Sequence, residues 1–278
     1  MQSWSTAGVV PVPGGRVWFG RTGAGSRRPL LVVHGGPGLP HDYLNSLARL
    51  SDEREVIFWD QLGSGRSERP RDCALWNMAR SVAEMHAVID ELGLRGCHIF
   101  GHSWGGMLTQ QYLLDPASAA ASVTIANSAS SIPRFSRYAR QLKANLDAAQ
   151  YGLVNEATAA RIWNHTHMCR LDLWPNAFEE AFRKLAVPVF EAMFGASVFD
   201  VTGTMADWDV TDQLVDIAAP TLLIAGRYDE CSPDQMHEMS GRIPHSRFEL
   251  FESSSHSPFI EEPVRFDRVM RAFLAEHD

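Results

Sequence analysis

The segment GHSWGG, residues 101–106, places a serine between two glycines in a G-x-S-x-G pattern. An apolar run precedes the motif and a helical pattern follows it, which is the strand-turn-helix context of a serine nucleophile. A sharp turn leaves little room for neighbouring side chains, so Gly101 and Gly105 suit the flanking positions. The hydroxyl of Ser103 would stand at a helix N-terminus, whose partial positive charge favours a developing anion. Ser103 is therefore the candidate nucleophile.

A serine nucleophile needs a general base, and the base needs a carboxylate that orients it. His256, in SSSHSP, lies between the last predicted strand and the last predicted helix, and Asp229, in GRYDE, follows the strand before. In a parallel sheet both positions fall at the carboxyl edge, where ligands bind. We predict a triad of Ser103, His256 and Asp229, in which Asp229 fixes the imidazole tautomer.

The oxyanion of an acyl-transfer reaction needs two backbone N–H donors. One is expected from Trp104, the residue after the nucleophile, and the other from the glycine-rich loop HGGPG, residues 34–38. Gly36 is the better candidate donor in that loop. Gly35 is expected to let the backbone approach the bound substrate.

The elements that position these residues alternate between strand and helix. Short apolar runs followed by glycines or polar residues are typical of strands buried on both faces of a parallel sheet. Such runs occupy 30–36, 55–63, 96–103, 121–128, 219–226 and 246–252, and two shorter strands around a Pro-Gly-Gly turn are predicted before them. Apolar residues at intervals of three and four predict helices at 77–92, 105–114, about 234–241 and at the end of the chain.

The alternation stops between about residues 130 and 212, where helical stretches rich in alanine and aromatic residues replace it. We therefore predict an α/β core of residues 1–130 and 213–278, with a helical cap insertion of residues 131–212 over the site. Aromatic residues of the insertion, for example Phe194 and Trp208, are expected to set selectivity, although aromatics at helical spacing also suit a core.

Composition excludes several classes of protein. The chain has 278 residues, of which 45% are hydrophobic and 21% charged, as in ordinary globular proteins. A formal net charge of −8 argues against nucleic-acid or anionic-membrane partners. The four scattered cysteines do not form a disulfide framework, and His165 and His167 have no third ligand near them in the sequence, so neither a metal nor a cofactor is expected. The absence of a leader pattern predicts a cytoplasmic location, and the oligomeric state stays open.

Five segments in this order, HGGPG, DQLGSGRS, GHSWGG, GRYDE and SSSHSP, resemble the proline iminopeptidase family of α/β-hydrolases. The resemblance covers roughly residues 30–130 and 215–278. It implies the α/β-hydrolase fold, a mostly parallel sheet flanked by helices with an inserted helical cap. It also implies cofactor-free hydrolysis, through an acyl-enzyme, of N-terminal aminoacyl or prolyl peptides and amino-acid amides. Glu230, next to Asp229, would bind the substrate ammonium.

One position departs from the family pattern. Such aminopeptidases tend to carry a second glutamate in the cap, before a phenylalanine upstream of Gly-Thr, and SVFDVTGT has Val198 there, with Asp200 two residues later. Weaker amine recognition, or a different substrate, would follow. The alternative function is an esterase, lactonase or tailoring hydrolase that acts on a hydrophobic acyl group with the same triad. A ligand receptor built on this fold is disfavoured because every catalytic part is present, and Glu230 has the alternative of a solvated loop acid or a neighbour of a helix N-cap.

Overall fold

The computed structural model describes residues 3–149 and 156–278. Its centre is one eight-stranded sheet with the strand order β1-β2-β4-β3-β5-β6-β7-β8. The strands are β1 Thr6–Val12, β2 Gly15–Thr22, β3 Arg27–Val33, β4 Arg54–Trp59, β5 His98–His102, β6 Ser122–Ala126, β7 Thr221–Gly226 and β8 Ser246–Phe251. β1, β2 and β4 pair antiparallel, and all other pairs are parallel. The predicted mostly parallel sheet is confirmed.

The apolar runs form central strands because both faces of the sheet are covered. Along β3, Leu31 and Val33 belong to the apolar cluster on one face, whereas Leu30 and Val32 belong to the cluster on the other. All four side chains are fully buried. Successive side chains of a strand point to opposite faces, so only a continuous apolar run fills both clusters.

Helices cover the two faces of the sheet. The α-helices are α1 Met78–Glu91, α2 Trp104–Leu113, α3 Ile132–Ala149, α4 Glu156–Trp163, α5 Asn176–Arg183, α6 Val187–Phe194, α7 Pro233–Arg242, α8 Pro258–Glu261 and α9 Pro263–Glu276. A π-helix, Asn164–Met168, continues α4, and 3₁₀-helices span His41–Asp52, Cys73–Leu75 and Thr211–Asp216. Within the described ranges, no helix is both long and apolar enough to cross a membrane.

The helix at His41–Asp52 was not predicted from the sequence. Its signal is present but short, because Leu44, Leu47 and Leu50 recur every three residues and are buried against the sheet. The segment between β6 and β7 contains the helices α3 to α6.

The parallel strands end at one edge of the sheet, and each is followed there by residues of interest. Gly35 and Gly36 follow β3, Gln61 follows β4, Ser103 follows β5, Asn127 follows β6, Asp229 and Glu230 follow β7, and His256 follows β8. The fold therefore brings residues that are far apart in the sequence to one edge, as expected for parallel α/β sheets.

Close packing of α2 against the end of β3 holds the turn at Ser103. A Cβ atom added at Gly105 would lie 2.2 Å from the carbonyl oxygen of Val33 and 2.6 Å from that of His34. We expect Gly105→Ala to lower the free energy of unfolding by about 1–3 kcal/mol, because backbone must move to make room. Urea unfolding measures the change.

Gly241→Ala is the matched control, since a Cβ atom there would meet no atom within 4 Å. This change in helix α7 should be neutral or stabilise the protein by up to about 1 kcal/mol. Equal stability of the two variants would contradict the packing argument.

Candidate active site

Ser103 occupies a strained turn between β5 and α2. Its φ of 57° and ψ of −124° lie in a region that residues other than glycine rarely adopt. The Ser103 N–H donates to the carbonyl of Ala126 at 3.0 Å, and its carbonyl accepts from the Ser128 hydroxyl at 2.8 Å. These bonds fix the backbone, so the side chain projects from the sheet edge. Strain held in this way is typical of functional positions.

Asp229 and His256 form a buried hydrogen-bonded pair. His256 Nδ1 lies 2.7 Å from Asp229 Oδ1, and the two residues are 2% and 0% exposed. The Asp229 carboxylate also accepts from the Cys231 N–H at 2.9 Å and from Asn127 Nδ2 at 2.6 Å. Three donors from three loops therefore hold this carboxylate.

The loop that carries His256 is held from both sides. Glu261 accepts hydrogen bonds from the N–H groups of Ser255 and Ser257, at 2.9 and 3.1 Å. The N–H of His256 itself donates to the carbonyl of His167 at 3.1 Å. The imidazole is thus fixed through the backbone as well as through Asp229.

The charges around His256 favour its protonated form. Burial alone would lower the pKa of His256, but the charge and hydrogen bond of Asp229, with the charges of Glu230 and Glu261, outweigh it. The pKa is raised above its ordinary value of 6.5. An imidazole with a raised pKa is a stronger base once it has lost its proton.

Ser103 and His256 line the same cavity. In the described ranges their side chains share no hydrogen bond, and catalytic hydrogen bonds often tighten only when substrate binds. The structure therefore brings the three predicted triad residues to one place.

A hydrogen-bonded chain joins the glycine-rich loop to the histidine loop. The Gly35 N–H donates to the Tyr43 hydroxyl at 2.7 Å, and that hydroxyl donates to His102 Nδ1 at 2.8 Å. His102 Nε2 in turn donates to the carbonyl of His256 at 2.8 Å. Burial holds the pKa of His102 well below its usual value, so the ring is neutral and can accept at one nitrogen while donating from the other.

The predicted oxyanion donors flank Ser103. Gly36 lines the cavity, and Gly35 lies so close to Ser103 that an added Cβ would be 2.9 Å from the serine Cβ. Among the described residues, neither the Gly36 N–H nor the Trp104 N–H donates to another backbone group outside regular helices and strands. Both donors are thus available to a ligand.

The indole of Trp104 is anchored by the segment that follows β4. Trp104 Nε1 donates to Gln61 Oε1 at 2.8 Å, and the Gln61 N–H donates to His34 Nε2 at 2.9 Å. Burial lowers the pKa of His34 to about 4, so this ring is neutral and can accept the bond. Gln61 therefore connects the indole of Trp104 to His34, the first residue of the HGGPG loop, a contact that its position in DQLGSGRS did not reveal.

The cavity has a volume of about 740 Å³ and mostly apolar walls. Aromatic residues of the insertion line it, namely Trp163, Phe178, Phe182, Phe190 and Phe199. The named examples Phe194 and Trp208 do not: Phe194 is buried in the core, and Trp208 donates to Gln111 at 2.9 Å. Helical spacing identifies which side chains of these segments are buried. It does not show which of the buried side chains line the cavity and which lie in the core.

Glu230 is the carboxylate of the cavity wall. It is 7% exposed, and burial raises its pKa, with the charge of Asp229 acting in the same direction. The charge of His256 and a hydrogen bond from Trp163 oppose this rise. Glu230 thus lies beside the triad with a carboxylate that is only partly compensated.

Val198, which stands where the family pattern has a second glutamate, lines the cavity. An apolar side chain therefore takes the place of that carboxylate. Asp200 does not take its place. Its side chain is 82% exposed and lies 3.9 Å from Arg140. In the described part of the chain, Glu230 is the only acidic residue that lines this cavity.

Asp229, Cys231 and His256 also have the spacing of a metal site, with ligand atoms within 4.8 Å of one another. Burial raises the pKa of the Cys231 thiol well above its ordinary value, which disfavours the thiolate that binds metals. His167 donates from Nδ1 to the carbonyl of Tyr228 at 2.7 Å and so does not join this cluster. The cluster therefore fits a triad better than a metal centre.

Sequence reasoning missed the residues that support the site. Asn127 and Gln61 each follow an apolar strand, so a search for polar residues at strand ends would have found them. Tyr43, Trp163 and Glu261 lie in helices with no such signal, and only the tertiary structure brings them to the site.

Comparison with known proteins agrees with this geometry. Residues 28–263 match the family model described as the alpha/beta hydrolase fold. The chain is 34% identical to a proline iminopeptidase of Heyndrickxia coagulans, over 97% of this chain and 98% of that protein. The crystal structure of proline iminopeptidase from Mycobacterium smegmatis is 32% identical, with a TM-score of 0.90 over 98% of both chains.

The crystal structure of VinJ is 31% identical, with a TM-score of 0.91 over 99% of this chain and all of that one. Both the predicted fold and the predicted resemblance are thereby confirmed. The chain belongs to the proline iminopeptidase family of α/β-hydrolases, and it is a serine hydrolase.

Proposed function

We propose that the protein cleaves an amide bond, releasing the N-terminal residue of a short peptide or the amine of an amino-acid amide, through an acyl-enzyme and without a cofactor. The observation that carries this proposal is the cavity in which Ser103, His256 and the buried carboxylate of Glu230 meet. A nucleophile with its base defines the reaction. A carboxylate beside them supplies a partner for a substrate ammonium.

In the proposed reaction, His256 Nε2 accepts the proton of Ser103 as its oxygen attacks the substrate carbonyl. The N–H groups of Gly36 and Trp104 stabilise the oxyanion. His256 then gives its proton to the leaving amine, and water hydrolyses the acyl-enzyme by the same steps. Asp229 supports this role, since its bond at Nδ1 leaves Nε2 as the nitrogen that exchanges protons.

Glu230 would bind the α-ammonium of the substrate. A partly compensated buried carboxylate gains a charge-assisted hydrogen bond when a cation arrives, worth about 1.5–3 kcal/mol. Gly35 would let the substrate backbone lie close to Ser103. Since Val198, which also lines the cavity, is apolar, one carboxylate would carry this recognition.

A second candidate is an esterase, lactonase or tailoring hydrolase that acts on a larger hydrophobic acyl group. The size and apolar walls of the cavity favour it. The insertion, residues 131–212, would act as a cap that sets acyl selectivity in either case. A cytoplasmic location and a small-molecule or short-peptide substrate stay predictions.

Ser103→Ala should abolish labelling by a fluorophosphonate and lower kcat by about 10⁴- to 10⁶-fold, because the oxyanion hole and substrate binding alone remain. Ser64→Ala is the matched control. Ser64 is also a buried serine between two glycines, yet its hydroxyl donates to the Gln61 carbonyl at 2.7 Å. Labelling that persists in Ser103→Ala, or disappears in Ser64→Ala, would refute the assignment.

Glu230→Gln should lower kcat/KM for an aminoacyl arylamide by about 10- to 150-fold, the loss expected for one charge-assisted bond. The N-acetyl derivative of the same arylamide lacks the ammonium and should lose little. Steady-state kinetics on the matched pair measure the difference. Equal losses on both substrates would mean that Glu230 supports the loop, and would favour the second candidate.

The acid limb of kcat/KM for a neutral aryl ester should have an apparent pKa above 6.5, because His256 must be neutral to act as base and its pKa is raised. Glu230→Gln removes one of the charges that raise the pKa of His256, so the acid limb of the pH profile should move to lower pH. A wild-type limb below 6.5, or a shift to higher pH in the variant, would contradict this electrostatic account.

A further inference from the structure

Two exposed cations of α3, Lys143 on the cavity wall and Arg140 beside it, lie where the cavity meets a second one. Lys143 belongs to the cavity wall, and it also lines a neighbouring cavity of about 600 Å³ together with Arg140 and Phe199. Arg140 and Lys143 are three residues apart on a helix, so their side chains lie on one face. The two cavities share Lys143 and Phe199 and therefore adjoin.

Lys143 is exposed. Its Nζ lies 4.8 Å from the centre of the Phe199 ring. Among the residues whose side chains the structure describes, which exclude 147–157, no carboxylate forms an ion pair with it. Arg140 is only loosely paired, 3.9 Å from the exposed Asp200, and donates to the carbonyl of Phe199 at 2.7 Å. The pair thus presents positive charge at the rim.

A continuous aromatic wall joins this rim to the triad. The Phe199 ring, under Lys143, meets Trp163 edge to face at a centroid distance of 4.8 Å. Trp163 in turn lines the same cavity as Glu230 and His256. The cavity therefore has a carboxylate at its inner end, a cation at its outer end and two aromatic rings between them.

We propose that Lys143, assisted by Arg140, forms a subsite for a carboxylate at the far end of the leaving group. The preferred substrates would then be short peptides with a free C-terminus. This inference rests on the proposed function, since it takes the ammonium to bind at Glu230. In an α-aminoacyl substrate one carbon separates the ammonium from the reacting carbonyl, so the first residue fills the inner end. The leaving group then extends towards the rim.

The subsite should act on substrate binding and not on the chemical step. Exposed ion pairs are modest in strength and are screened by salt, so a free carboxylate should improve affinity about 2- to 10-fold at low ionic strength. Lys143→Gln should remove most of this preference, and Lys143→Arg should keep it because the charge remains.

The test uses alanylglycylglycine and its C-terminal amide, each as a substrate and as a competitive inhibitor of aryl ester hydrolysis. We expect the wild type to favour the free acid about 2- to 10-fold in KM and in inhibition constant, with kcat unchanged and the preference lost at high salt. Lys184→Gln is the matched control, because Lys184 is an exposed lysine outside both cavities that pairs with Glu180 at 4.0 Å.

The outcomes separate the subsite from the proposed reaction. If neither peptide is cleaved but the acid inhibits more strongly than the amide through Lys143, the subsite stands and the amidase function fails. Equal inhibition by acid and amide in the wild type, or equal losses in Lys143→Gln and Lys184→Gln, would overturn the subsite. Glutamylglycinamide carries its carboxylate on the acyl side, and a Lys143-dependent preference for it would overturn the assignment to the leaving group.

Discussion

The buried carboxylate of Asp229 imposes the strictest condition on this site. A fully buried charge without partners costs several kcal/mol, so the fold must bring donors to it. The three donors, Asn127, Cys231 and His256, come from the loops after β6, β7 and β8. Satisfying one carboxylate therefore fixes the relative positions of three neighbouring strand ends. The same bonds orient the imidazole ring of His256. Because Nδ1 is bonded to Asp229, only Nε2 is left to face Ser103.

The neighbouring carboxylate, that of Glu230, is buried without enough partners to offset its burial. Glu230 is almost as buried as Asp229, but its pKa is raised, since burial outweighs the help from His256 and Trp163. Two adjacent residues of one loop therefore differ in their partners. The Asp229 carboxylate accepts three hydrogen bonds, whereas the Glu230 carboxylate is only partly compensated. In the proposed reaction the first carboxylate orients His256. The second is buried without a full set of partners, and in the same proposal a substrate ammonium would supply the missing one.

The sequence was sufficient for features that depend on local pattern. Apolar runs gave the central strands, and the G-x-S-x-G turn, with Asp229 and His256 after later strands, gave residues that meet at one edge. It could not give contacts that depend on how distant elements pack. Tyr43 reaches the site only because the helix at His41–Asp52 packs on the sheet. Likewise, periodicity identified the aromatic faces of the insertion but could not separate Phe190, in the cavity, from Phe194, in the core.

One short element of the insertion is hydrogen-bonded to the loops that carry His256 and Asp229. The π-helix Asn164–Met168 and the residues after it accept or donate four hydrogen bonds to those loops, through His167, Met168 and Arg170. Widened helical turns of this type are frequent at functional sites. Because the carbonyl of His167 holds the N–H of His256, this part of the insertion cannot move without disturbing the base. Among the described residues, α5 and α6, which carry Phe182 and Phe190, make no such backbone bond to His256, so these two walls are less directly coupled to it.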